Sequence, residues 1–210
     1  MKMKEQKIEE FLQELSSDAP TPGGGGAAGL VAAVGAALSD MVLSLTTGKK
    51  KYAQYQSEIE ELQKKADELQ EKLLEAMDKD AEAFEPLSKA YGLPKETFEE
   101  VDYRNRVMEE ALYDAAKAPL DMMEVILETM KMTERVAEIG SALAISDAGV
   151  AIQLCGAALN SASLNVYINT KLMKDRITAA RFEGEADAYL MEGARILART
   201  YQNVMGKIRG

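Results

Sequence analysis

The sequence predicts an all-α fold: an antiparallel up-and-down bundle of five to six long helices, forming one domain over residues 1–210. Two observations predict it. The five prolines stand at 20, 22, 86, 94 and 119, and glycine clusters only at 23–26, so long stretches run without a breaker. Alternation of β-branched residues is nowhere sustained, whereas apolar residues recur at spacings of three and four. A chain of 210 residues, 47% of them apolar, buries enough surface to need no disulfide or structural metal.

Each helix has its own local reason. A short amphipathic helix is expected over about 3–15, followed by the loop SSDAPTPGGGG. A second runs from about 25 to 46 with Asp40 as its one charge, and ends at the basic turn Gly48-Lys49-Lys50-Lys51-Tyr52. The third, about 52–91, carries Ile59, Leu62, Ala66, Leu69, Leu73, Ala76, Asp80, Ala83 and Leu87 on one stripe. It stops at Tyr91-Gly92-Leu93-Pro94, with Gly after the last turn and Pro beyond it. The fourth spans about 95–138 and is expected to kink or break near Pro119. The fifth, about 141–173, has the single charge Asp147 through Thr170, and the sixth covers about 175–207.

The second and fifth helices are long, nearly uncharged and rich in Ala, Gly and Ser. Asp40, Asp147, Gln153, Asn160, Asn165 and Asn169 argue against membrane spans and for helices buried on all sides, centrally or in a subunit interface. Gly25, Gly29, Ala33 and Ala37 form a smooth ridge of the kind found in two-fold homodimer contacts.

Composition removes whole classes of chemistry. The chain has no histidine, which excludes imidazole bases, Ser-His-Asp and Cys-His nucleophile systems, histidine metal ligands and a Glu-x-x-His di-iron centre. No metal site is expected. A net charge of −10 argues against nucleic-acid binding. The lone Cys155 and a charged start without an apolar leader fit a reducing cytoplasm.

Several residues stand out against this background. Asp80 falls where the third stripe calls for an apolar side chain; either the stripe ends a turn early, or the carboxylate is buried for chemistry. Asp147 is either a favourable charge at a helix start or a desolvated acid or base. Asn165 and Asn169 lie one turn apart and offer two amides to a heterocycle or to a neighbouring helix. Asp147 and Asn165 share a face but stand about 27 Å apart, so they serve two ends of a long ligand, two subunits or separate sites. Pro22-Gly23-Gly24-Gly25-Gly26 before a helix suits an anion, or is a flexible lead-in. Lys49 and Lys50 are carboxylate partners or solvated charges.

Taken in order, Asp18-Ala19-Pro20-Thr21-Pro22-Gly23-Gly24-Gly25, Ala33-Val34-Gly35-Ala36-Ala37-Leu38, Met41-Val42, Gly48-Lys49-Lys50-Lys51-Tyr52, Asp80-Ala81-Glu82-Ala83-Phe84, Leu93-Pro94-Lys95, Pro119-Leu120, Ser146-Asp147 and Asn165-Val166-Tyr167-Ile168-Asn169 resemble the formimidoyltetrahydrofolate cyclodeaminase / methenyltetrahydrofolate cyclohydrolase family over about 10–175. The resemblance implies an all-helical homodimer acting on one-carbon units carried by tetrahydrofolate, as cyclohydrolase or as cyclodeaminase, without metal or redox cofactor. It places Gly23, Gly24, Gly25, Lys49, Lys50, Asp80, Asp147, Asn165 and Asn169 on the family motifs, with Asp147 or Asp80 moving the proton. Pro22 joins the substrate-binding set, and the lysines meet the glutamate tail. Gly26 stands where relatives often carry Ser. A non-catalytic helical dimer module is the reading from another class; it expects Asp80 and Asp147 to face solvent.

Overall fold

The computed structural model describes residues 2–210, and all the elements they form are helical. Six α-helices follow in order: α1 Ile8–Leu15, α2 Gly24–Ser44, α3 Gln56–Tyr91, α4 Phe98–Ile139, α5 Ile145–Thr170 and α6 Arg176–Arg209. Short 3-10 turns at Met3–Glu5, Lys50–Tyr55 and Ala142–Ala144 fill the junctions. The five long helices run up and down as predicted. α2 packs on α3 and α5, and α4 lies between α3 and α5, with α6 covering α4 and α5.

The helix ends have side-chain causes. Glu100 donates its N–H to the Thr97 hydroxyl, and its carboxylate accepts from the Thr97 N–H, so α4 starts at 98 and not at 95. Asp175 accepts from the N–H groups of Ile177 and Thr178 and starts α6. The expected helix over 3–15 is interrupted: Gln6 and Lys7 are extended, and the Lys7 N–H donates to Glu10 at the first turn of α1.

Two expectations are corrected. α4 does not break at Pro119; the helix is continuous from Phe98 to Ile139, as α3 is through Pro86. The ridge predicted as a dimer contact instead seats α3 inside the same chain. A Cβ on Gly25 would strike the Asp80 carboxylate, and one on Gly29 would lie 2.7 Å from Met77 Cγ and 3.2 Å from the Leu73 carbonyl. Ala37, the last of the ridge, is exposed.

Within one chain α2 and α5 each keep an open face, so of the two expected placements, central or in a subunit interface, the central one does not hold. Their inner faces are packed, with Ala32, Ala36, Ala151, Ile152 and Cys155 fully enclosed. Their outer faces leave Val34, Met41, Leu45, Val150, Leu164 and Ile168 exposed, Leu164 to 68%. Both helices are long and apolar enough to cross a membrane by length and mean hydropathy.

Candidate functional site

The helical bundle carries the predicted residues to two separate ends. At one end lie Pro22, the glycines, Asp80, Asn165 and Asn169. At the other lie Lys49, Lys50 and Asp147. α2 connects the two, and its 21 residues span roughly 30 Å.

The glycine end is compact. Gly23 precedes α2 and supplies no side-chain cap, and its carbonyl receives the first helical bond, from Ala27. The N–H groups of Gly24, Gly25 and Gly26 therefore have no partner within the helix, and the positive end of the α2 dipole is bare. The Asp80 carboxylate lies against Gly25: a Cβ there would come within 2.1 Å of Oδ2. Glycine lets the acid approach this closely; a side chain here would push the carboxylate out of its position. Asp80 is half-buried, and desolvation pushes its carboxyl up from the ordinary 3.8 to about 6. The adjacent Gly24 faces Asn165, whose side-chain nitrogen and oxygen both lie 3.6 Å from the position of a Gly24 Cβ. Asn165 donates its side-chain N–H to the Ser161 carbonyl at 3.1 Å, which fixes the amide's orientation. A cleft of about 440 Å³ opens here between α2 and α5, with Gly24, Ala28, Val31, Ala157, Ser161 and Asn165 along it. Its apolar walls and single amide suit a flat heterocycle, and its volume is within the range of small-molecule sites.

Asn169 is placed differently from Asn165. It is buried, and its side-chain nitrogen donates to the Ala115 carbonyl at 2.7 Å and to the Asn165 carbonyl at 2.9 Å. Its two donors are thus used within the chain, one across to α4 and one back along α5.

The basic end is held by a different set of bonds. Lys49 donates to the Ser141 hydroxyl at 3.2 Å, and the Ser141 N–H donates to Thr46 Oγ1 at 2.8 Å. The Tyr52 hydroxyl accepts from the Ala142 N–H, a bond that holds this phenol below its usual range. Lys50 and Lys51 are exposed. Asp147 is half-exposed in the first turn of α5, at the same end as Lys49, so it takes the helix-start position. Tyr52, Ser141 and Thr46 were not singled out by sequence reasoning; only the position of Tyr52 directly after the lysine run could have pointed to it.

A hollow of about 790 Å³ lies in the α3–α4 groove under a rim of Glu, Asp and Lys and includes none of the predicted site residues. Its chemistry is that of a solvated, mixed-charge groove. Among the described residues no three His, Cys, Asp or Glu side chains come together to hold a metal ion.

The chain is similar in sequence and fold to known proteins. The sequence pattern of the formiminotransferase-cyclodeaminase family matches residues 7–188. A methenyltetrahydrofolate cyclohydrolase from Methylorubrum extorquens is 43% identical over 201 residues, covering 96% of this chain and 97% of that protein. A formimidoyltransferase-cyclodeaminase from Rattus norvegicus is 30% identical over 185 residues, which are 88% of this chain but 34% of that longer protein. The crystal structure of a formiminotetrahydrofolate cyclodeaminase from Thermotoga maritima superposes with a TM-score of 0.81 at 31% identity, covering 98% of this chain and 97% of that one.

Proposed function

The chain belongs to the formiminotransferase-cyclodeaminase family, and from that premise we propose that it is a methenyltetrahydrofolate cyclohydrolase of folate one-carbon metabolism. One observation carries the assignment to a site: a carboxylate with a raised pKa packed against Gly25 in the first turn of α2, whose neighbour Gly24 faces the Asn165 amide and the apolar cleft. Its substrate, 5,10-methenyltetrahydrofolate, is cationic at the one-carbon centre. Ionised Asp80 stabilises that cation and takes a proton from the water that adds to the carbon. The protonated acid then returns its proton to N5 as the carbon–N5 bond breaks and the hydroxyl loses its own. The products are 10-formyltetrahydrofolate, uncharged at the one-carbon centre, and one proton released to solvent. These steps need proton transfer and charge stabilisation alone, so the reading calls for no cofactor. Asn165 faces the heterocycle's edge from the opposite side of the glycines.

The second reading is the cyclodeaminase that closes the ring of 5-formimidoyltetrahydrofolate and expels ammonia. The Thermotoga maritima neighbour and the longer relatives carry that name, and the same acid serves it by protonating the departing nitrogen. Loss of methenyl absorbance and release of ammonia from the formimidoyl compound, measured side by side on the purified protein, decide between the two. Turnover of neither substrate rejects both.

The reading includes a homodimer in the cytoplasm, outside any membrane. The chain exposes 11331 Å², whereas a compact monomer of 22.9 kDa exposes about 9,600 Å². The excess sits well with the bare apolar face of α2 and α5, and doubled over two copies it is of the size obligate homodimers bury. A two-fold axis lying in that face and crossing the helices sets the Lys49 end of one copy beside the Asp80 end of its partner. Lys49 and Lys50 then meet the glutamate tail of a folate whose ring lies at Asp80.

A further inference from the structure

Two features of the sequence that look unrelated, a proline inside α4 and a buried asparagine in α5, answer each other in the structure. Pro119 has no N–H, so the carbonyl four residues earlier, that of Ala115, has lost its helical partner. Ala115 is buried at 4% exposure, so water does not replace it. The bond comes from α5, where Asn169 donates to this carbonyl at 2.7 Å. Pro86 in α3 poses no such problem, because Pro86 and Glu82, the residue it leaves unpaired, are both exposed. The same Asn169 nitrogen also donates to the carbonyl of Asn165, the residue whose amide faces Gly24.

We propose that Pro119 and Asn169 form a positioning pair that fixes the last turns of α5 against α4 and so holds the Asn165 amide at the glycine loop. Pro119 frees a carbonyl at a chosen depth, and Asn169 is the only described side chain donating to it. The pair sets where α5 sits along α4, one turn from the cleft. Asn169 acts through Asn165 and is a positioning residue. This inference rests on the reading of Asn165 as part of the substrate cleft.

The test is a double-mutant cycle read by thermal unfolding and by kinetics on the methenyl substrate. Asn169→Ala leaves the Ala115 carbonyl buried and unpaired, and lowers the unfolding midpoint by roughly 2–10 °C. Pro119→Ala restores the missing N–H, so in that background Asn169→Ala costs less than half as much. Asn169→Ser separates the two bonds: its hydroxyl reaches the carbonyl of Asn165 within its own helix but not Ala115. It therefore behaves like Asn169→Ala in the cycle. Kinetically, Asn169→Ala raises KM severalfold with a smaller change in kcat, and Pro119→Ala reverses part of that rise. Additive midpoints overturn the pairing whether or not the protein turns over folates. Parental kcat and KM in an active Asn169→Ala enzyme overturn the positioning role. A parent inactive on the methenyl substrate rejects the cyclohydrolase reading instead, and one inactive on the formimidoyl compound as well rejects the placement of Asn165 in a folate cleft.

Discussion

Replacing Asp80 by Asn is expected to make the protein more stable and nearly inactive. Desolvation raises the Asp80 carboxyl from the ordinary 3.8 to about 6, so the folded state holds a proton that the unfolded chain has released over that interval. Stability therefore falls as pH rises from about 4 to about 6, and the loss is complete and constant above that. The full displacement corresponds to roughly 3 kcal/mol as a ceiling. Half-burial lets solvent screen part of it, and the α2 N-terminus favours the anion, which leaves about 1–2 kcal/mol.

Asparagine carries no charge at any pH and fits the same space against Gly25. Asp80→Asn should match the parent's unfolding midpoint at pH 4 and exceed it by about 2–8 °C at pH 7.5. Turnover of the methenyl substrate should drop by about 10²–10⁴, the range for loss of a general base. In the parent, kcat/KM should rise as pH passes through about 6, because the base of the free enzyme must be ionised. Calorimetry at the two pH values and a pH–rate profile read all of this. A variant destabilised at pH 7.5, or one keeping more than a tenth of parental kcat, refutes the argument that Asp80 is a half-buried, desolvated base.

Gly25→Ala drives a methyl into the Asp80 carboxylate; the acid's two torsions let it swing away, so stability changes by less than about 2 kcal/mol while kcat collapses. Gly29→Ala, which meets Met77 and the Leu73 carbonyl, is the converse control: an unfolding midpoint lowered by several degrees with kcat near parental. Leu164→Glu puts a charge on the bare α2–α5 face and should shift the mass measured by light scattering from two chains to one; an unchanged dimer rejects that face as the interface. Asp40 has its carboxyl raised by burial and by the nearby Asp67, and its Oδ1 is buried without a partner. Asp40→Asn should raise the unfolding midpoint by about 1–3 °C at pH 7.5 and leave it unchanged at pH 4.

How far these features were legible in the sequence differs by kind. Helix number and order follow from periodicity and breaker placement, which are local. The end positions shifted where a side chain competed, as at Thr97 and Glu100, or where an extended pair interrupted an amphipathic run, as at Gln6 and Lys7. Asp80 was visible because a charge on an apolar stripe is a local anomaly. Its partner was not: the reason for Gly25 is the acid on α3, 55 residues away, and the ridge pattern alone suggested a second subunit.

Pro119 and Asn169 show why such signals mislead when read singly. A proline at mid-helix predicts a kink or a break, and amides one turn apart predict a heterocycle or a neighbouring helix, and each expectation follows from sound local physics. Pro119 is 50 residues from Asn169, and neither has a sequence neighbour that points to the other. The α4–α5 packing joins them, and one defect then satisfies the other: the carbonyl that should have broken α4 is where the surplus amide of α5 goes. The same logic explains why Asn165 and Asn169, alike in sequence and one turn apart, separate in role. Rotation by one turn leaves them on one face, but the freed carbonyl of Ala115 lies opposite only the second. The first keeps one N–H for its own helix and turns the rest of its amide toward Gly24.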